Sequence, residues 1–328
     1  MKINGRGMGI GVTVLALGVS LLAFPTLLEA QKAAGISRVG WLEACGPGPR
    51  RPHFDIFRAR LAELGYVEGK NLIVEQRFAD CRYDRMPALA ADLAQVPVDV
   101  LFTMGTRAAR VVAGSVKTTP LVVYSCDPFE HVNRLARQGG NLTGVTCMTT
   151  ELSPKRFELL KELVPGASRV MFLHDPQAAP NALKLTEEAA PRLGISLQVA
   201  QVEAADELPQ ELAMIAKQHP DALFVYPDVV LSSYPRPQQL ADFAIKARLP
   251  TVHAFRFFVN AGGLMSYGAA QSEIYATAAE QVAKILDGAR PSELPLWQAT
   301  RFELVINNRT AKAPASPSPL RCWCGPMR

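Results

Sequence analysis

The chain contains no GxGxxG, GxSxG, P-loop or HExxH sequence. The usual signatures of dinucleotide binding, serine acyl transfer, phosphate cradling and zinc hydrolysis are therefore missing. Histidine is scarce, five in 328 residues, and the five are scattered without metal-ligand spacing. Charge is sparse too: 20 % of residues are charged and the formal net charge is only +5. The nearest thing to a basic cluster, Arg50-Arg51, lies among prolines without interleaved aromatics, which argues against a nucleic-acid partner. No low-complexity linker interrupts the chain. These absences leave no catalytic residue, metal site or cofactor to nominate, and the chain reads as a protein without enzymatic activity.

What is present is apolar. Hydrophobic residues make up 48 % of the chain, a globular composition, and the length suits two α/β domains. The first thirty residues differ from the rest. Lys2 and Arg6 precede an apolar stretch, Met8 to Leu22, and a Leu-Glu-Ala step ends at Ala30. Gly18, Ser20 and Pro25 break that stretch, which is short for a span of about 20 residues. The pattern predicts a cleaved signal peptide over 1–30 and a periplasmic destination. No Cys follows the cleavage step and no twin Arg precedes it, which disfavours a lipid anchor and a folded-export signal.

From Ser37 onward, apolar strands alternate with amphipathic helices. Strands are predicted at 38–42, 71–76, 98–103, 121–125 and 142–146, and the pattern restarts at 169–174, 196–202 and 222–226. Continuous apolar strands separated by helices predict parallel sheets covered on both faces. The predicted fold is α/β: two Rossmann-like lobes with a cleft between them. One lobe is expected over 31–148 plus about 256–297, the other over 149–255 plus about 298–313. Leu249 to Gly268, with its aromatics and Gly262-Gly263, reads as a crossing between the lobes, and Cys147 to Ser153 as a hinge.

Ligands of open parallel sheets sit beyond the carboxyl ends of strands. In the first lobe that rule nominates Glu43, Ala44 and Cys45, then Gly105 and Thr106, then Asp127. In the second it nominates Asn181 and Asp228, with Phe255 as part of a stacking wall. Each has a plainer reading. Thr106 and Asp127 suit helix N-caps, and most of Phe255, Phe257, Phe258 and Tyr267 suit the core. In a 2-1-3-4-5 strand order, Cys45 and Cys81 follow neighbouring strands, as do Cys126 and Cys147. Export to an oxidising compartment then predicts Cys45–Cys81 and Cys126–Cys147 disulfides. Four reduced thiols, or two catalytic thiols facing across a cleft, are the alternatives.

Several stretches resemble one family: LAELGYVEGKNLIVEQRFAD at 61–80, RMPALAADL at 85–93, GGNLTGVT at 139–146, KRFELLKELVPGASRV at 155–170, AGGLMSYG at 261–268 and RFELVINNRTAKA at 301–313. In order and spacing they are similar to the ABC-transporter substrate-binding proteins of the tryptophan/tyrosine type. The resemblance implies a type I periplasmic-binding fold and a monomer that closes two lobes on a small solute. Its partners would be a membrane permease and its ATPase. In structurally known relatives the solute is an aromatic amino acid, so an amino-acid-like or aromatic carboxylate solute is implied here. The loop 44–52 departs from the family's small, Ser-rich pattern by adding Cys45 and several Pro and Arg. The tail 314–328 departs further, and a one-base shift of its codons permits GLTIPPSLLVRADA; a frameshift is expected there, leaving Cys322 and Cys324 without a site role. A ligand sensor for a membrane receptor and a two-lobed cysteine racemase are the rival functions.

Overall fold

The computed structural model describes residues 35–48, 51–126, 133–134, 136–137, 140–178 and 180–312. The expected signal peptide, Asp127 and the divergent tail lie outside these residues. The strands are β1 (Ser37–Glu43), β2 (Leu72–Phe78), β3 (Val100–Met104), β4 (Leu121–Ser125), β5 (Leu142–Thr146), β6 (Arg169–His174), β7 (Ser196–Gln201), β8 (Ala222–Val225), β9 (Thr251–His253), β10 (Met265–Ala269), β11 (Trp297–Gln298) and β12 (Phe302–Ile306). They form two six-stranded sheets, ordered β11-β5-β4-β3-β1-β2 and β12-β10-β9-β8-β6-β7. Every pairing is parallel except β10 with β12.

Helices cover both faces of the sheets, so β3, β4 and β5 are buried at every position, including both sides of the pleat. Trp41 is the centre of the first core. Its ring meets Phe54 and Phe57 edge-on at 4.9 and 5.1 Å and tilts against Phe102 at 4.7 Å. Phe54 and Phe57 come from the helix Pro52–Glu63, which begins with Pro at its first position and packs on the helix Gln271–Leu286. In the second sheet, Phe172 and Phe224 stack at 5.2 Å, and Phe157 from the helix Ser153–Leu163 stacks on Phe224 at 4.7 Å.

The chain crosses between the sheets three times: after β5, after β10 and between β11 and β12. The first crossing, from β5 to β6, runs through the segment Cys147 to Ser153. The second corrects the expected boundary near 256. β10 pairs with β9, so Leu249 to Gly268 stays within the second lobe, and its turn holds a short helix, Arg256–Ala261. The chain leaves only at the helix Gln271–Leu286, which covers β3, β4 and β5.

The cysteines divide. Cys45 and Cys81 are joined, with sulfurs 2.09 Å and Cα atoms 4.1 Å apart. The Cys126–Cys147 disulfide is not formed: both are buried free thiols, with sulfurs 2.7 Å apart. The expected proximity holds because β4 and β5 pair through Ser125 and Thr146, which sets the next residues side by side. The Cys147 sulfur instead contacts the Thr149 hydroxyl at 2.9 Å.

Candidate functional site

A cleft of about 710 Å³ opens where the carboxyl ends of the two sheets face each other. The first lobe contributes Glu43 from the end of β1, Gly105 and Thr106 after β3, Tyr124 and Cys126 at the end of β4, and Tyr275 from the helix Gln271–Leu286. The second contributes Tyr226, Pro227 and Asp228 after β8, Ser232 and Ser233, and Phe255 and Phe257 after β9. Rings therefore line both walls. Tyr124 and Tyr275 meet edge to face at 5.4 Å, and Phe255 and Phe257 stack at 5.9 Å.

The two lobes touch around this space. Gly105 has φ +95°, and a Cβ there would lie 2.4 Å from the Val229 Cγ2 atom of the opposite lobe. Glycine is needed at this position for both reasons. Arg107 stacks over the Tyr83 ring at 4.1 Å and reaches Asp175 across the cleft at 3.5 Å. Arg110 donates to the Gln177 carbonyl, and Arg236 donates to the Cys81 sulfur at 3.2 Å. The structure is thus a closed arrangement of the lobes.

Of the three carboxylates that border the cleft, Glu43, Asp228 and Asp242, the first two have opposite electrostatics. Burial would raise the Glu43 carboxyl, but His53, Trp41 and Arg51 outweigh it and hold the group below the ordinary range. Trp41 Nε1 donates to Glu43 Oε2 at 3.0 Å, and Arg51 donates to the same oxygen at 3.1 Å. His53 Nε2 stands 3.5 Å from Glu43 Oε1. Asp228 behaves the other way. Burial pushes it up to about 7, with Asp175 adding to the rise, although the Leu231 and Asp175 amides both donate to it. Asp175 is also raised, first by burial, with Arg107 only partly opposing. Among the described lining residues Arg107 is the only Arg or Lys.

The nominated residues sort clearly. Glu43, Gly105, Thr106, Asp228 and Phe255 line the cleft; Ala44, Cys45 and Asn181 do not. Ala44 is fully buried and Cys45 is tied to Cys81 beside Val229. Thr106 is not the expected cap: its hydroxyl accepts from the Cys126 amide at 3.2 Å and meets Ser125 at 3.3 Å, pinning β4 to β3. Asp228, in contrast, caps the short helix Val229–Ser232 through Leu231. Phe258 stacks on His253 in the core, and Tyr267 packs towards Phe302. Sequence reasoning missed Tyr83, Tyr124, Tyr226, Tyr275 and Arg107. Tyr124 and Tyr226 stand at strand ends, where a tyrosine ending an apolar run is a readable hint. Among the described residues no helix is long and apolar enough to cross a membrane, and no group of three or more His, Cys, Asp or Glu could hold a metal ion.

Solved structures share this architecture. A conserved domain protein from Vibrio cholerae O1 biovar El Tor is 25 % identical, over 84 % of this chain and 93 % of its own, with a TM-score of 0.74. An ABC domain from Streptococcus pneumoniae in complex with L-Trp is 19 % identical over 84 % of this chain and 93 % of its own, with a TM-score of 0.72. An ABC-transporter solute-binding protein from R. palustris in complex with benzoate is 14 % identical over 78 % and 76 %, with a TM-score of 0.54. A search of curated proteins finds no significant match. With its residues 54–314 matched by the family's sequence model, the chain belongs to the ABC transporter substrate binding protein family.

Proposed function

We propose that this protein is the extracytoplasmic solute-binding subunit of an ABC importer, and that it captures a small solute with an aromatic body and a carboxylate or amino-acid head. The observation that carries this reading is the closed cleft of about 710 Å³, lined by rings from both lobes. A flat apolar solute between Tyr124, Tyr275, Phe255 and Phe257 would gain burial and ring stacking only when both lobes are present. Solute binding would then shift the population from open to closed. The amides that begin the helix Thr106–Ser115 suit a carboxylate. Glu43 suits an ammonium group, and Asp228 a hydrogen-bonding one.

The neighbours bound to L-Trp and to benzoate are consistent with a ring-bearing solute. The family and the amino-terminal pattern support permease and ATPase partners and a periplasmic location. Ala44, Cys45 and Asn181 are set aside as solute contacts, and Tyr226 and Tyr275 take their place. The test is a thermal-shift panel of amino acids, aromatic acids and small aliphatic carboxylates. A solute that binds only the folded protein adds about 2.7 kcal/mol at a hundredfold excess over its dissociation constant. A raised melting temperature for ring-bearing acids and not for aliphatic ones is the expected result. A cooperative melt that no compound moves would contradict it.

A further inference from the structure

We propose that Cys126 and Cys147 form a redox-active dithiol that opens on the solute cleft, and that disulfide-bearing oxidants convert it reversibly to a bridge between the cleft floor and the first inter-lobe crossing. The two sulfurs are 2.7 Å apart, against about 2.04 Å in a formed disulfide. Little movement is needed, because the pairing of Ser125 with Thr146 already holds the two backbones side by side.

The pair is asymmetric. Cys126 borders the cleft and retains 8 % exposure, whereas Cys147 is fully buried behind it. Cys126 is therefore the sulfur an oxidant meets. Burial alone would raise the Cys147 thiol, but hydrogen bonds with Cys126 and with Thr149 lower it overall. The Cys126 thiol is raised well above its ordinary value by its hydrogen bond with Cys147 and by burial. Its exposure to the cleft, not thiolate character, therefore makes it the first to react, and Cys147 resolves. The fully buried Arg156 guanidinium, donating to the Thr149 carbonyl at 2.9 Å, sets a cation behind that contact.

The reaction balances as an exchange. The Cys126 sulfur attacks one sulfur of the oxidant's disulfide, and one thiol leaves carrying the Cys126 proton. The Cys147 sulfur then displaces the second thiol, which takes the Cys147 proton. One protein disulfide forms, one oxidant disulfide is reduced to two thiols, and two electrons pass to the oxidant. Because Cys147 begins the segment 147–152, the bridge would fasten one end of a crossing that must bend when the lobes part.

The test reads sulfur chemistry without any solute, so its failure and the failure of the solute-binding reading are distinguishable. The purified protein is exposed to oxidised glutathione, free thiols are blocked with N-ethylmaleimide, and peptides are mapped without reduction. The expected result is a linked peptide pair carrying Cys126 and Cys147, two hydrogens lighter than the sum of the two free-thiol peptides, and absent when the oxidised protein is treated with dithiothreitol before blocking. In Cys147→Ser, oxidation is expected to stop at glutathione on Cys126. Recovery of both residues as blocked thiols in the wild type would overturn the proposal, as would a stable glutathione adduct on wild-type Cys126.

Discussion

Asp228 carries its proton towards neutral pH, because burial lifts its carboxyl to about 7. A carboxyl raised in the folded state stabilises the fold while protonated. That contribution is complete below the unfolded value of about 4 and is lost as pH rises through about 7. Asp228→Asn keeps an oxygen for the Leu231 amide and removes the titration. Its melting temperature is expected to vary less across that window than the wild type's, a comparison that a pH series of thermal melts makes directly. Glu43 has the opposite sign. Held below its ordinary range, it stabilises the fold above the unfolded value, and that contribution is lost as pH falls through the folded one. Glu43→Ala strands the Arg51 guanidinium and the Trp41 N–H, and should cost about 3 kcal/mol in urea unfolding at neutral pH. Glu43→Gln, which still accepts from Trp41, should cost less.

At the scale of elements, Gly105 joins β3 to the helix Thr106–Ser115 and determines how closely the lobes approach. Gly105→Ala would place a methyl into Val229 and strain a backbone at φ +95°. The variant is expected to hold the lobes apart and to weaken solute affinity at least tenfold; adding Val229→Ala should restore part of it, as calorimetric titration of the double variant would show. Strands such as Leu121–Ser125 and Leu142–Thr146 were legible because burial on both faces makes every position apolar. The crossing near Gly262-Gly263 was misread because a glycine pair after an aromatic run marks a turn, not which sheet receives the next strand. Only the β9–β10 register decides that. Thr106 was misread for a related reason: whether a hydroxyl at a helix start turns to its own amides or to a neighbouring strand depends on where β4 ends. The tyrosines of the cleft were hidden because Tyr275 sits in an ordinary helical run, and its role comes from Tyr124 across the lobe.

For the whole molecule, the proposed function is closure of the two lobes on a solute. The disulfide Cys45–Cys81 fixes a loop on one lobe, and Arg236, Val229 and Tyr234 meet that loop from the other. Arg107 and Asp175 pair across the gap. Between these contacts lies an aromatic space that neither lobe could enclose alone. The most direct measurement is calorimetric titration of aromatic amino acids and aromatic carboxylates into the wild type and into a Phe255→Ala, Phe257→Ala double variant. One solute class binding the wild type once per chain, with affinity falling at least tenfold in the variant, is the expected result. Binding by none of these solutes, or equal affinity in both proteins, would contradict solute capture between the lobes.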